Sequence, residues 1–318
     1  NYNDNLKQNY LKYARDYRLD LLGDRYGDRG LRLEEQYAKA TFRFSIISTK
    51  QKKIVIPKGS LIRYNDLYFE TNEEYSIAEN TLYVDGIATC KTPGTIGNNI
   101  PVGHINTMVD LYPYFSKVEN ITISNSGTDM EEDDVYRERL RLVPDSFSVA
   151  GSEGAYVFWT LSTSPEIVDV TVKSPNPCEV DIYVLTKDGV PTQEMKNQVL
   201  KVVNSDEIRP LTDKVTVKSP EVVDYRVEFD YYINKADEIS INSIKSKVQT
   251  AVNEYIEWQK SKLGRDIIPD ELIKRLKLAG VKRTVITSPT YKKLDPHQFA
   301  KCDASVVVNY LGVEDIWY

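Results

Sequence analysis

The sequence predicts an α+β, multidomain protein: an N-terminal helical arm, a β-rich domain, then two small α+β layer domains. Three observations carry this. The apolar period switches from helical to alternating near residue 41, and both periods recur in turn after residue 127. The 318 residues exceed the roughly 100–200 of one domain. No Ser/Gly-rich or low-complexity stretch separates the segments, so they are expected to pack together rather than hang as beads. The segments are 1–40, 41–126, 127–221 and 222–318.

In the arm, Tyr10, Ala14, Tyr17 and Leu21 fall on one face of a helix over Asn9 to Tyr26, with Gly23 as cap or break. A second short helix is expected from Leu31 to Ala40. From Thr41, Phe42, Phe44 and Ile46 alternate with polar residues as a half-buried strand does. Ile54 and Ile56 repeat the pattern and turn at Pro57-Lys58-Gly59. Leu67-Tyr68-Phe69, Tyr75-Ser76-Ile77 and Leu82-Tyr83-Val84 give further short strands. Pro93 to Gly103 is a Gly/Asn/Pro loop.

The next helix is expected to begin at Thr128, capped with Glu131 three residues on. Its acids Asp129, Glu131, Glu132 and Asp133 lie at the positive end of the dipole, and Arg137, Arg139 and Arg141 toward the other. Pro144 stops it. A helix over Glu153 to Ser162 follows. VTVKSP then occurs twice, at Val170–Pro175 and Val215–Pro220, with a looser TVITSP at Thr284–Pro289. The unequal intervals exclude a tandem array and leave a repeated strand–turn solution or an old duplication. With strand Val180–Leu185 and helix Thr192–Val203, the order is α-β-β-α-β.

The last segment opens with strand Val222–Ile233. A long helix, Ile241–Leu263, carries the stripe Ile244, Val248, Ala251, Tyr255 and Trp258. Pro269 starts another helix with Leu272, Ile273 and Leu276. Gly280 ends it, and strands Val281–Thr287 and Ala304–Tyr310 finish the chain.

Composition narrows the function. Forty-one bases against 47 acids give a net charge of −6, which argues against nucleic acid as the main partner. No apolar run approaches the ~18 residues of a membrane helix, so no membrane insertion is expected. Cys90, Cys178 and Cys302 are too sparse for a disulfide framework or a zinc site and are read as reduced thiols. His104 and His297 stand far apart, each read as a surface or interface histidine. No HExxH, GxSxG, P-loop or GxGxxG occurs. The acidic run Asp129–Asp134 lacks the ligand spacing of an EF-hand. The Gly94–Asn99 loop has amides suited to an anion, but is read as a sheet-edge turn. Asn120-Ile121-Thr122 fits the glycosylation pattern, which has no meaning in a reducing compartment. No catalytic, cofactor-binding or metal-ligating residue is assigned, no cofactor is expected, and the chain is expected not to be an enzyme. Twenty-two Tyr against 8 Phe fit either a protein with much interface, since Tyr combines an apolar body with a polar tip, or a low-GC codon bias of the genome.

Eight stretches, in chain order, together resemble the baseplate J family of contractile phage tails and R-type bacteriocins. Leu19-Asp20-Leu21-Leu22-Gly23 with Tyr26-Gly27 is similar to the family's LDxLG…yG segment. Ile54–Ser60 resembles its vtIPaGt turn, and Leu67–Thr71 its yFeT. Pro93–Ile105 resembles pGxxGNvxxGxi. Gly127-Thr128-Asp129 with Glu132, Arg137 and Arg139 resembles GtDxEsdexxRxR. Ser146–Tyr156 resembles sxaGxxxaY, Arg209–Asp213 matches RPltD, and Val281–Pro289 resembles the C-terminal v..v.v.sP. Asp28-Arg29-Gly30 departs from the pattern, being longer and more charged.

The resemblance implies a structural wedge that forms a ring around a central hub and spike and rearranges when contraction is triggered. Its implied partners are other copies of itself, neighbouring wedge and sheath-initiator proteins, and the hub. It implies assembly in the bacterial cytoplasm and residence in the baseplate of the particle. A receptor-binding tail protein and a cell-wall hydrolase are the competing readings. Candidate interface residues are Tyr10, Tyr13 and Tyr17 in the arm and Trp317 and Tyr318 at the C-terminal end. Candidate hinges are Ser126-Gly127 and Pro220-Glu221.

Overall fold

The computed structural model describes residues 2–148 and 151–315. The fold is α+β and multidomain, as the sequence predicts. It divides into two compact units, Asn1–Leu140 and Arg141–Tyr318.

In the first unit the arm departs from expectation. It is two short helices, α1 (Tyr2–Lys7) and α2 (Asp16–Asp24), joined by a turn, not one helix from Asn9. Tertiary bonds override the helical pattern. The Arg15 amide donates to Gln8 Oε1 at 3.1 Å, and the Asp16 amide to Asp133 Oδ2 at 2.7 Å. Tyr10, Ala14 and Tyr17 therefore do not share a helix face: Ala14 is fully buried, whereas Tyr10 and Tyr17 are exposed. The expected helix Leu31–Ala40 is also absent. A 3₁₀ turn at Gly27–Gly30 leads through irregular chain into strand β1 (Tyr37–Ile46).

Strand β1 turns Ala38, Ala40, Phe42, Phe44 and Ile46 inward. The strands β2 (Ile54–Ile56), β3 (Leu61–Tyr64), β4 (Leu67–Thr71), β5 (Tyr75–Ile77), β6 (Tyr83–Pro93), β7 (Thr107–Met108) and β8 (Phe115–Asn120) follow. Six of them form a sheet ordered β7-β3-β4-β6-β1-β8, and β2 pairs with β5. The short connection from β7 to β8 draws the two edges of the six-stranded sheet together, so it curls into a nearly closed barrel. Phe42, Phe44, Ile62, Phe69 and Val118 fill it, all fully buried. Helix α3 spans Asp133–Leu142, starting five residues later than Thr128. The expected capping box does not form, because Thr128 is held in a β-bridge with Gln36 and Glu131 turns into the protein.

The second unit begins with α4 (Glu153–Leu161), β9 (Ile167–Lys173), β10 (Glu179–Thr186), α5 (Gln193–Val203) and β11 (Lys214–Lys218). Ser152 and Thr192 cap the two helices through their hydroxyls. The sheet order is β11-β10-β9, with β11 parallel and β9 antiparallel to β10. The two VTVKSP copies thus form opposite edges of one sheet and run in opposite directions.

The C-terminal part comprises β12 (Glu221–Asn234), α6 (Ile241–Lys260), α7 (Pro269–Leu278), β13 (Val281–Ser288) and β14 (Gln298–Glu314). The sheet is β13-β12-β14, with β12 and β14 parallel. Every second residue of β12 from Val223 to Ile233 faces the α6 stripe Ile244, Val248, Ala251 and Tyr255 and the α7 residues Leu272 and Leu276. Each large side chain buried this way stabilises by roughly 1.5–3 kcal/mol.

Candidate functional site

Among the described residues no group of three or more His, Cys, Asp or Glu is placed to hold a metal. His104 is exposed on a turn beside the barrel. A shallow groove of about 510 Å³ lies between Lys39, Lys58 and Lys91, open to solvent, its Glu70 already paired with Lys91 at 3.1 Å. The motifs singled out in the sequence have another use: they meet one another.

The acidic–basic stretch around α3 clasps the arm. Glu131 and Arg139 form a buried pair, their side chains 1% and 3% exposed. Arg139 Nε and Nη2 donate to the Glu131 carboxylate at 2.8 and 2.7 Å, and the Leu33 amide adds a third donor at 3.0 Å. Arg139 also donates to the Leu31 carbonyl at 2.6 Å. Arg137 donates to the carbonyls of Leu11 and Ala14 at 2.9 and 2.6 Å. Arg32 reaches Asp20, the Glu131 carbonyl and Asp133 at 2.8, 2.7 and 2.7 Å, lying over the Tyr136 ring. Tyr136 hydroxyl donates to Gly30 O at 2.5 Å, and a Cβ on Gly23 would collide with that hydroxyl. This is why a glycine closes the Leu19–Gly23 motif. Burial pushes the Asp133 carboxyl up, but the Asp16 amide and the Arg32 guanidinium pull harder and hold it below the usual range. Burial raises Tyr136 to about 12.

The Pro93–Ile105 loop binds an anion belonging to its own chain. Asp129 accepts from the Thr95 amide at 2.9 Å and the Thr95 hydroxyl at 3.0 Å. Asn98 clamps Gly127 from both sides, accepting from its amide at 2.9 Å and donating to its carbonyl at 2.7 Å. The candidate hinge Ser126-Gly127 sits inside this clamp, within the first unit. Asn120 is fully buried, accepts from the Ile105 amide and donates to the carbonyls of Pro101 and Thr122. The amide of the glycosylation pattern is therefore spent internally.

In the second unit two further motifs join. Tyr156 hydroxyl donates to Asp213 Oδ2 at 2.8 Å, so the Ser146–Tyr156 stretch is tied to Arg209–Asp213. Arg209 folds back on the carbonyls of Pro210 and Asp213 at 3.3 and 2.7 Å, leaving Leu211 94% exposed at the tip. The candidate hinge Pro220-Glu221 is bridged. Leu185, Leu263 and Phe299 form one apolar cluster across it. The Leu263 amide donates to Asp169 at 2.8 Å, and burial raises that carboxyl. His297 Nδ1 lies 2.8 Å from Lys173 Nζ and Nε2 lies 3.5 Å from Glu221.

Of the candidate interface residues, Tyr10, Tyr13 and Tyr17 are 67%, 48% and 69% exposed. Lys7 and Lys12 lie 5.9 and 5.4 Å from the Tyr13 ring. Trp317 and Tyr318 lie outside the described residues. Sequence reasoning missed a second exposed apolar surface, at one rim of the barrel. There Ile47, Leu82, Leu111 and Tyr114 are 73%, 48%, 69% and 53% exposed. The Ile46 amide donates to Leu82 O and the Ile47 amide to Tyr114 O, which brings these loops together. Nothing in local periodicity marks the rim, because its residues come from three separate connections.

Three family models match the chain in succession: the Baseplate J-like protein barrel domain over residues 41–127, the Baseplate J-like central domain over 148–219, and the Baseplate J-like protein C-terminal domain over 227–309. The Baseplate protein J of Escherichia phage P2 is 32% identical over 173 residues, 54% of this chain and 56% of that protein. The chain therefore matches little more than half the length of this curated relative. Among solved structures, a chain of the cryo-EM anti-feeding prophage baseplate, 6-fold symmetrised, aligns with a TM-score of 0.42 and 11% identity over 85% of this chain and 77% of that one.

Proposed function

The chain belongs to the baseplate J-like family, and from that premise we propose that it is a structural, non-catalytic wedge of a contractile-tail baseplate. The observation that carries the reading is the ordered run of barrel, central and C-terminal family domains along one chain. Copies of the protein join one another and neighbouring wedge and sheath-initiator proteins in a ring around the hub and spike. The particle is assembled in the bacterial cytoplasm and carries the protein at its tail tip.

Rearrangement on triggering is a movement of rigid bodies that exchanges one packed interface for another. The clasp around Glu131 and Arg139 keeps the arm on helix α3 during such a movement. The Leu185–Leu263–Phe299 cluster keeps the central and C-terminal domains together. Both features support a part that transmits displacement without deforming.

Deletion of the gene in the producing strain, followed by negative-stain microscopy, tests this. Loss of complete tails, with hubs and unassembled parts left behind, is the expected result. Intact particles that contract but fail to adsorb or to breach the wall would overturn it in favour of a receptor-binding or hydrolytic role.

A further inference from the structure

One rim of the barrel gathers exposed apolar side chains. Ile47, Leu82, Leu111 and Tyr114 project from three connections that backbone bonds hold side by side. Tyr114 has φ +60°, a left-handed conformation that a bulky side chain adopts only under constraint from its surroundings. Lys50 Nζ lies 4.0 Å from the centre of its ring. Lys52 and Lys53, both exposed, follow in the same loop, so the connection that carries Ile47 bears three lysines, while Glu79 and Asp110 stand on the other two connections. A matching partner carries carboxylates beside a projecting apolar side chain.

This chain presents such a segment elsewhere. The 3₁₀ turn Lys235–Ser240 joins β12 to α6 and is exposed throughout. At its crest stand Asp237, Glu238 and Ile239, the isoleucine 102% exposed. A fully exposed isoleucine preceded by two acids, with the turn's Lys235 already paired to Asp315, is the chemical complement of an apolar rim whose first connection carries lysines.

We propose that the rim Ile47/Leu82/Leu111/Tyr114 with Lys50, Lys52 and Lys53 binds the Asp237-Glu238-Ile239 turn of a second copy of this chain. The contact is head-to-tail, so each copy offers both halves, and a succession of such contacts closes into a ring when the rotation per copy divides the circle. The inference rests on the wedge reading, and specifies the surface through which copies meet.

Charge exchange tests it in the producing strain, with variants supplied to the gene deletion. K50E/K52E/K53E reverses the rim, and D237K/E238K reverses the turn. Each alone is expected to lower the yield of complete particles about tenfold or more, because like charges then face each other. The five-fold exchange in one chain restores opposite charges and recovers the yield. So does co-expression of the two single-surface variants, whose copies alternate. Ile239→Lys, at a fully exposed site that cannot disturb the core, is expected to reduce yield in the same way. Near-wild-type yield from either reversed surface alone would overturn the proposal, as would failure of the combined exchange to recover yield when each protein melts as wild type does. A wild-type yield from the deletion strain itself would instead remove the wedge reading beneath it.

Discussion

Replacing Arg139 with methionine isolates the clasp. The substitution keeps most of the side-chain volume and removes both guanidinium bonds to Glu131, leaving that carboxylate with the Leu33 amide alone. At 1% exposure Glu131 cannot recover water without opening the arm. Breaking a buried pair from one side costs about 3–5 kcal/mol, most of it the stranded charge. Against a domain stability of about 5–15 kcal/mol this is a large share. At about 4 °C per kcal/mol for a unit of this size, the midpoint falls by roughly 12–20 °C. Far-UV circular dichroism in urea and heat reads the loss. Trp159 and Trp258 lie in the second unit, so their emission follows that unit and should keep its wild-type transition. The double variant E131L/R139M is expected to recover part of the loss, since no charge is then stranded. A loss below about 1 kcal/mol, or a double variant no better than the single, would refute the desolvation argument.

Acid should release the arm. Asp133 titrates below its unfolded value of about 4, so its stabilisation is present above that value and disappears as pH falls through the lower, folded one. Protease cleavage within residues 2–30 should rise only below about pH 4, and Asp133→Asn should show raised cleavage already at neutral pH with a flatter profile. Tyr156→Phe removes the bond to Asp213 and should cost about 1.5–3 kcal/mol in urea unfolding, as bonds to charged groups do. Asn120→Ala strands the Ile105 amide and the Thr122 carbonyl, the Pro101 carbonyl keeping the His104 amide, and should cost about 2–4 kcal/mol.

Much of the fold was legible because its signals are local. The alternation of Phe42, Phe44 and Ile46, the α6 stripe and Pro269 each encode one element through backbone period or a fixed φ. The arm was not legible in this way. Tyr10, Ala14 and Tyr17 have helical spacing, yet Arg137 takes the Leu11 and Ala14 carbonyls and Asp133 the Asp16 amide, bonds with partners more than a hundred positions away. Thr128 and Glu131 have the spacing of a capping box, but Glu131 gains more from Arg139 than from a helix end. The recurrent motifs marked which residues matter without revealing that they meet in pairs. The rim was invisible because exposure carries no period.

The clasp also sets a timetable for synthesis. Leu11 and Arg137 are 126 positions apart, so the arm leaves the ribosome long before its anchor exists. At about 5–20 residues per second the wait is roughly 6–25 s. During it the Leu11 and Ala14 carbonyls lack the guanidinium that later holds them. The nascent arm is thus a client for whatever holds unfolded chains in the cell. A ribosome stalled before Arg139 should display a protease-sensitive N-terminus that a ribosome stalled well after it does not.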